Sequence, residues 1–240
     1  FMEKAIEGNP RAESVHITDL FAEIAGISFD AAADRKPDYR VKPSEAVWAS
    51  GAYPRNQLKR ACIQVGASAR IRRYPLGLVG EVSRMLIGRG WEVFLMGAKG
   101  ELPPKKKDVT SLRNLTDDGL SFRQSCAVLN TADVVIAPDS SLAHVAGALD
   151  IPCVALYGPF HWKVRTAYSP SITGIQGNNG CEPCWHHVNQ ARQDHFPARC
   201  PSKAHGFCQV LASIRPERIV ALAEKVVRRG PTRDLGGKLA

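Results

Sequence analysis

Residues 133–158 read DVVIAPDSSLAHVAGALDIPCVALYG, and the fold is decided in this stretch. An apolar run, Val134 to Ala137, stops at Pro138. A polar knot, Asp139-Ser140-Ser141, follows, and a helical stretch then carries His144 one turn in. Ile151-Pro152 closes that helix, and Val154 to Tyr157 begins a second apolar run before Gly158. The order is strand, turn, helix, strand, with polar side chains gathered where the first strand hands over to the helix. In open parallel sheets, ligands collect at this junction, the carboxyl end of a strand. Free N–H groups at the helix start favour an anion such as a phosphate. An ordinary Asp or Ser N-cap beside a surface histidine gives the same local pattern, so the surroundings must decide.

Working outward, the alternation repeats. Cys62 to Val65 is a short apolar strand, and Leu76 to Ile87 is helical by the spacing of Leu78, Val79, Val82, Met85 and Leu86. Glu92 to Met96 is a second strand, Val109 to Leu115 holds a short third one, and Phe122 to Ala132 is the next helix. Strands alternating with helices of about ten residues imply parallel βαβ units with right-handed crossovers. The fold expected is α/β, a Rossmann-like parallel sheet with flanking helices over residues 62–158. Upstream, Ile17 to Ile27 reads as one amphipathic helix ending near Gly26, and Lys36 to Ser50 as a connecting segment. Beyond Gly158 periodicity weakens into an irregular, Cys/His-containing segment to about Ser213. Pro216 to Arg229 then forms a closing amphipathic helix, and residues 230–240 read as a frayed tail.

Composition sets the outer limits. A chain of 240 residues buries a full core. It has no run of about 18 apolar residues, and its start lacks the charged, apolar, small order of a signal peptide, so a cytoplasmic protein is expected. Position 1 is Phe, as in a processed product or a fragment. Lys and Arg outnumber Asp and Glu by 32 to 23, a formal charge of +9, which suits an acidic partner: nucleic acid, an anionic membrane face or phosphorylated small molecules. Apart from Lys105-Lys106-Lys107, read as a solvated loop, the basic residues are scattered.

Three groups of side chains project to one sheet edge. Gly66-Ala67-Ser68 follows the first strand, with Arg72 and Arg73 close behind. A Ser hydroxyl bonds a phosphate oxygen and an arginine clamps a diphosphate, although the same residues also describe a surface arginine cluster. Glu101 lies past the second strand, where an acidic side chain accepts from ribose hydroxyls or is simply solvated. Asp139, Ser140, Ser141 and His144 make up the third group. His144 sits four residues after Ser140, on the same helix face.

Asp, Ser, small residue, two positions and His, followed by a small-residue helix, Pro, an apolar strand and Gly-Pro, resembles the nucleotide-sugar signature of the glycosyltransferase family 9 heptosyltransferases. These enzymes add ADP-activated heptose to the inner core of lipopolysaccharide. The likeness runs from about residue 35 to Arg229 and departs at Ser141, where the family most often has Gly. It implies the C-terminal, donor-binding half of a GT-B fold at residues 46–229, with residues 1–45 the end of the N-terminal acceptor domain and its linker. It further implies inverting transfer from a nucleotide-diphosphate sugar to a lipopolysaccharide-like glycan or glycolipid acceptor, at the inner face of the inner membrane. Arg73 stands where the family's basic residue grips the donor diphosphate, two before Pro75, with Arg72 beside it. Glu101 would contact the ribose, and Ser140, Ser141 and the helix start would hold the phosphate or sugar. Asp139 would accept from sugar hydroxyls, and His144 would stabilise the departing diphosphate. No residue corresponds to the family's general-base aspartate, and transfer is expected to need no cofactor.

Cys181-x-x-Cys184, Cys200 and Cys208, with His186, His187, His195 and His205 interspersed, have the look of a structural zinc site within residues 177–208. The gap between Cys200 and Cys208 is not a standard knuckle, so four free or disulfide-prone thiols stay open. Cys62, Cys126 and Cys153 read as buried hydrophobes. Rival readings are a non-catalytic nucleotide-sugar-binding module, another GT-B enzyme such as an epimerase, and a basic zinc-containing nucleic-acid-binding protein. Aromatic residues are not interleaved with basic ones as a stacking platform needs, so no nucleic-acid partner is expected.

Overall fold

The computed structural model describes residue 11 and residues 14–103, 111–181, 183–184 and 200–229. Six strands form one sheet: β1 (Lys59–Gln64), β2 (Trp91–Met96), β3 (Leu112–Asn114), β4 (Val134–Pro138), β5 (Cys153–Tyr157) and β6 (Ile172–Gln176). Their spatial order is β3-β2-β1-β4-β5-β6, and every neighbouring pair is parallel. The α/β, Rossmann-like sheet expected from the alternation is therefore present. Strand order reverses between β1 and β4, and at such a switch point the connecting helices leave on opposite faces and open a crevice.

Both faces are covered, which is why β4 and β5 are apolar at every position and buried throughout. Alternate residues serve opposite cores. Val134 and Ile136 join Ala61, Ile63 and Val93 under α3 (Leu76–Ile87) and α8 (Pro216–Arg229). Val135 and Ala137 join Cys62, Phe94 and Cys153 under α4 (Phe122–Leu129) and α5 (Ser141–Ala148). Helix α3 turns Val79, Val82, Ser83 and Leu86 inward at helical spacing. Ser121 and Gln124 close a capping box at the start of α4, satisfying two N–H groups that would otherwise be orphaned.

Upstream, α1 (Ile17–Ala25) ends at Gly26 in the left-handed conformation with φ 67°, as its sequence predicts. It packs a small cluster of its own around Leu20. Polar anchors tie this segment to the sheet domain: Asp19 accepts from the Tyr168 hydroxyl, and Lys36 pairs with Asp150 at 2.6 Å.

Two expectations are corrected. The supposed connecting segment Lys36 to Ser50 contains most of α2 (Pro43–Ala52). Its proline occupies the first turn, where the missing N–H costs nothing, and Glu45 reaches back to the Lys42 N–H. The segment after Gly158 is less irregular than expected, holding α6 (Trp162–Thr166), β6 and α7 (Gln209–Ala212). Their order comes from packing: a Cβ at Gly174 would stand 2.7 Å from the Trp162 ring, so β6 lies directly against α6. The lysine triplet, the tail 230–240 and His186, His187 and His195 lie outside the described residues. Among the described residues no helix is long and apolar enough to cross a membrane.

Candidate functional site

A cavity of about 480 Å³ opens at the carboxyl edge of the sheet, over the switch point. Its walls come from the ends of β1 and β2 and from the starts of α4 and α5. Ser68, Arg72, Arg73, Glu101, Ser140, Ser141 and His144 all line it. Residues as distant in sequence as Gln64 and Ser140, 76 positions apart, thus meet in one concavity.

From the β1 side, Arg72 is the strut. One terminal nitrogen donates to the Asp139 carbonyl at 3.0 Å and the other to the Ser68 hydroxyl. The guanidinium thereby ties the loop after β1 to the end of β4. Arg73 commits only its Nε, to the Ala67 carbonyl at 2.9 Å, which leaves its terminal nitrogens for an incoming anion.

Glu101 depends on two glycines. A Cβ at Gly66 would stand 2.0 Å from either carboxylate oxygen, and one at Gly97 would stand 2.4 Å from Oε2. With Glu101 in this position there is no room for a side chain at either strand end, and the carboxylate rests on bare backbone, its Oε2 accepting from the Ala98 N–H at 2.9 Å.

On the β4 side, Ser140 is the N-cap of α5 but makes no side-chain capping bond. Its hydroxyl instead accepts from Gln64 Nε2 at 3.0 Å, while Gln64 Oε1 accepts from the Leu142 N–H at 3.3 Å. Gln64, buried at the end of β1, is the staple that sets the helix start over the cavity. The sequence reading passed over it; its one signal is an amide at the end of an apolar strand.

Asp139 does not line the cavity. Its carboxylate is buried beneath, with Arg72, His144 and Arg165 each 3.8–3.9 Å away. Arg165, on the short α6, was also missed, because nothing in the local pattern distinguishes it. His144 has its imidazole held below the ordinary histidine range, first by burial and then by Arg165 and Arg72, with Asp139 pulling the other way. These surroundings favour the neutral ring in the free chain. Burial likewise lowers the Arg72 guanidinium, offset in part by Asp139.

The four candidate metal ligands lie apart from this cavity. Cys208 packs so closely on Gly158 that a Cβ there would stand 2.9 Å from its Sγ. Cys181 and Cys200 are partly buried against the same core. Cys184 is exposed, yet crowding by the surrounding chain pushes its thiol up to about 11, with Cys208, Cys200 and Cys181 adding to the rise. The four thiols are thus near enough to sense one another, and all are free. Among the described residues no group of three or more His, Cys, Asp or Glu side chains is arranged to hold a metal ion. Cys62, Cys126 and Cys153 are buried in the core, as expected.

A doubly wound parallel sheet with an arginine-lined cavity at its switch point defines an α/β protein of the Rossmann-like class, whose ligands collect at that crevice. Comparison with known proteins narrows the class. The profile of glycosyltransferase family 9 (heptosyltransferase) matches residues 10–195, more than half of the chain, which therefore belongs to that family. The chain is 28% identical over 159 residues to lipopolysaccharide heptosyltransferase 2 of Salmonella typhimurium, covering 62% of this chain and 41% of that protein. Among solved structures it resembles E. coli ADP-heptose lipopolysaccharide heptosyltransferase II, with a TM-score of 0.60 and 21% identity over 80% of this chain and 54% of the other. The iron-containing dodecameric heptosyltransferase TibC, solved with ADP-D-beta-D-heptose, matches with a TM-score of 0.55 and 19% identity over 73% of this chain and 47% of the other. At these identities the structural likeness is one of fold. The chain spans only about half the length of these relatives, or less.

Proposed function

We propose that this chain supplies the donor half of a heptosyltransferase-type glycosyltransferase, holding a nucleotide-diphosphate sugar of the ADP-heptose kind for inverting transfer to a lipopolysaccharide-like glycan or glycolipid. Residues 46–229 are the donor domain in this reading, and residues 1–45 the end of an acceptor domain with its linker. The observation that carries the proposal is the convergence of Ser68, Arg72, Arg73, Glu101, Ser140, Ser141 and His144 on one cavity at the switch point.

In this reading Glu101 accepts from the ribose hydroxyls. Arg73, Ser68 and the N–H groups at the start of α5 take the diphosphate. As the acceptor oxygen attacks the anomeric carbon, the bond from that carbon to the diphosphate breaks and negative charge gathers on the leaving phosphate. Arg72, Arg73 and the helix start already face that charge, and His144 meets it with an N–H. Glu101 is the one carboxylate among the described lining residues. The base that takes the acceptor's proton is therefore assigned to the acceptor domain. The excess of basic residues suits peripheral contact with an anionic membrane face at the cytoplasmic side.

Calorimetry with ADP-D-beta-D-heptose tests the site. Binding that is lost in Arg73→Ala and Glu101→Ala is expected, and a folded chain that takes up no donor overturns the proposal. Transfer assays then separate an enzyme from a binding module. His144→Ala is expected to slow transfer strongly with little change in folding, and unchanged turnover would remove His144 from the chemistry.

We also propose that Cys181, Cys184, Cys200 and Cys208 close around a structural zinc ion when one is supplied, since without it they are not arranged to hold a metal. Four soft thiols suit a tetrahedral cation, and a raised thiol needs a cation to lose its proton. Metal analysis of the purified chain distinguishes zinc from iron, and a folded, metal-free protein removes the site.

A further inference from the structure

Beneath the cavity floor one carboxylate faces two guanidinium groups and an imidazole and bonds to none of them. Asp139 directly follows β4, with 4% of its side chain exposed. His144 Nε2 stands 3.8 Å from Oδ1, Arg165 Nε 3.8 Å from Oδ2, and Arg72 Nη1 3.9 Å from Oδ2. All three distances exceed hydrogen-bond reach, and Oδ2 is buried without a hydrogen-bond partner. A buried carboxylate oxygen left this way is costly and demands a reason.

The three groups are held differently. Arg72 is fixed by its bonds to the Asp139 carbonyl and the Ser68 hydroxyl. His144 stands at the cavity with 49% of its side chain exposed. Arg165 does not line the cavity; its guanidinium lies over the Phe160 ring, 4.1 Å from the centroid, with 14% of the side chain exposed. That stacking fixes a permanent positive charge on the side of Asp139 away from the imidazole.

We propose that Arg165 is a positioning residue of the donor site: by engaging the far oxygen of Asp139 it keeps that carboxylate from closing on His144, so that the imidazole stays available to the cavity. The role given to the imidazole rests on the diphosphate reading of the cavity; the relation between Arg165, Asp139 and His144 does not. The charged and titratable groups around His144 are Asp139 from β4, Arg72 from the turn after β1, Arg165 from α6 and His16 ahead of α1. Tyr157, at the end of β5, adjoins Asp139. Two guanidinium groups thus share one carboxylate, and His144 is left as the weakest claimant. Deleting Arg165 removes a positive charge and frees Asp139 to pair with the ring; both changes favour the imidazolium.

The test follows the His144 ring by NMR in the labelled, folded chain, with the signal assigned by His144→Gln. In Arg165→Met the midpoint of the His144 titration is expected to rise by about one pH unit, and in Arg165→Lys to return close to that of the unaltered protein. A purely structural arginine on Phe160 would lower thermal stability and leave the midpoint where it was. Should Arg165→Met not fold, Phe160→Leu removes the ring beneath the guanidinium and is expected to move the midpoint the same way by less. An unmoved midpoint in a folded variant overturns the proposal. ADP-ribose binding to the unaltered chain is measured alongside. If the midpoint moves but ADP-ribose does not bind, the diphosphate reading fails while the Arg165–Asp139–His144 relation stands.

Discussion

The two edges of this sheet handle charge in opposite ways. At the amino edge Arg60 is completely buried, and every part of its guanidinium is used. Nε donates to Glu92 at 2.9 Å, Nη1 to the Tyr53 carbonyl at 3.1 Å and the Thr131 hydroxyl at 2.6 Å, and Nη2 to the Pro54 carbonyl at 3.0 Å. Beside it Asp133 accepts from Arg55 at 2.9 Å and from the Arg60 N–H at 2.6 Å. At the carboxyl edge Asp139 has two guanidinium groups and an imidazole near it and a buried oxygen with no hydrogen bond. The same strands run through both ends, so the contrast is not one of burial or fold. One edge closes Arg60 inside the protein and leaves only Arg55 Nε unpartnered among its described ion pairs, while at the other Arg72 and Arg73 line an open cavity above the unpartnered Asp139 oxygen.

The largest effect expected from this contrast lies at the closed edge. Glu92→Ala leaves a buried guanidinium without its counter-ion and should lower stability by about 3–5 kcal/mol, read from urea denaturation. The ADP-ribose affinity of the folded fraction should not change. The contrast breaks if Arg72→Met, at the open edge, costs as much stability. That variant is expected instead to weaken ADP-ribose binding by about ten- to hundredfold, the worth of one or two charge-assisted hydrogen bonds. Its stability should fall by only about 1–2 kcal/mol, because the buried Asp139 carboxylate loses one guanidinium neighbour but keeps Arg165.

The open edge was the more legible of the two in sequence. Leu76–Ile87 and Pro216–Arg229 were readable to the residue, because one-sided periodicity and a first-turn proline mark them. The seven cavity-lining candidates could be projected to one edge because strand ends in a parallel sheet share that edge. What stayed hidden depended on distant contacts. Gln64 has meaning only once β1 lies beside β4, and Arg165 only once Phe160 and Asp139 come together. Gly66 and Gly97 take on their role only once the fold brings Glu101 to rest on their backbones. The ion pairs of the closed edge gave no sequence signal, since Arg60 and Glu92 are 32 residues apart and sit in strands that otherwise read as apolar.

The smallest expected effect, and the most direct probe of the open edge, is pH linkage at His144. In the free chain burial first, then Arg165 and Arg72, hold the imidazole below the ordinary value of 6.5, against the pull of Asp139. A bound diphosphate adds negative charge beside the ring and favours its protonated form, so the midpoint rises in the complex. Binding then takes up a proton wherever the pH lies between the free and bound midpoints. ADP-ribose suits the measurement because its diphosphate is a diester and does not titrate near neutrality. Its dissociation constant should be flat above the bound midpoint, tighten by about three- to tenfold as pH falls toward 5, and level off below the free midpoint. Calorimetry in buffers of different ionisation enthalpy should show fractional proton uptake near pH 6. His144→Gln should abolish both signals, whereas His16→Gln and Glu92→Ala should preserve them. A flat profile in the unaltered chain would mean that the imidazole does not meet the diphosphate. The reserve of positive charge at this edge would then belong to the arginines alone.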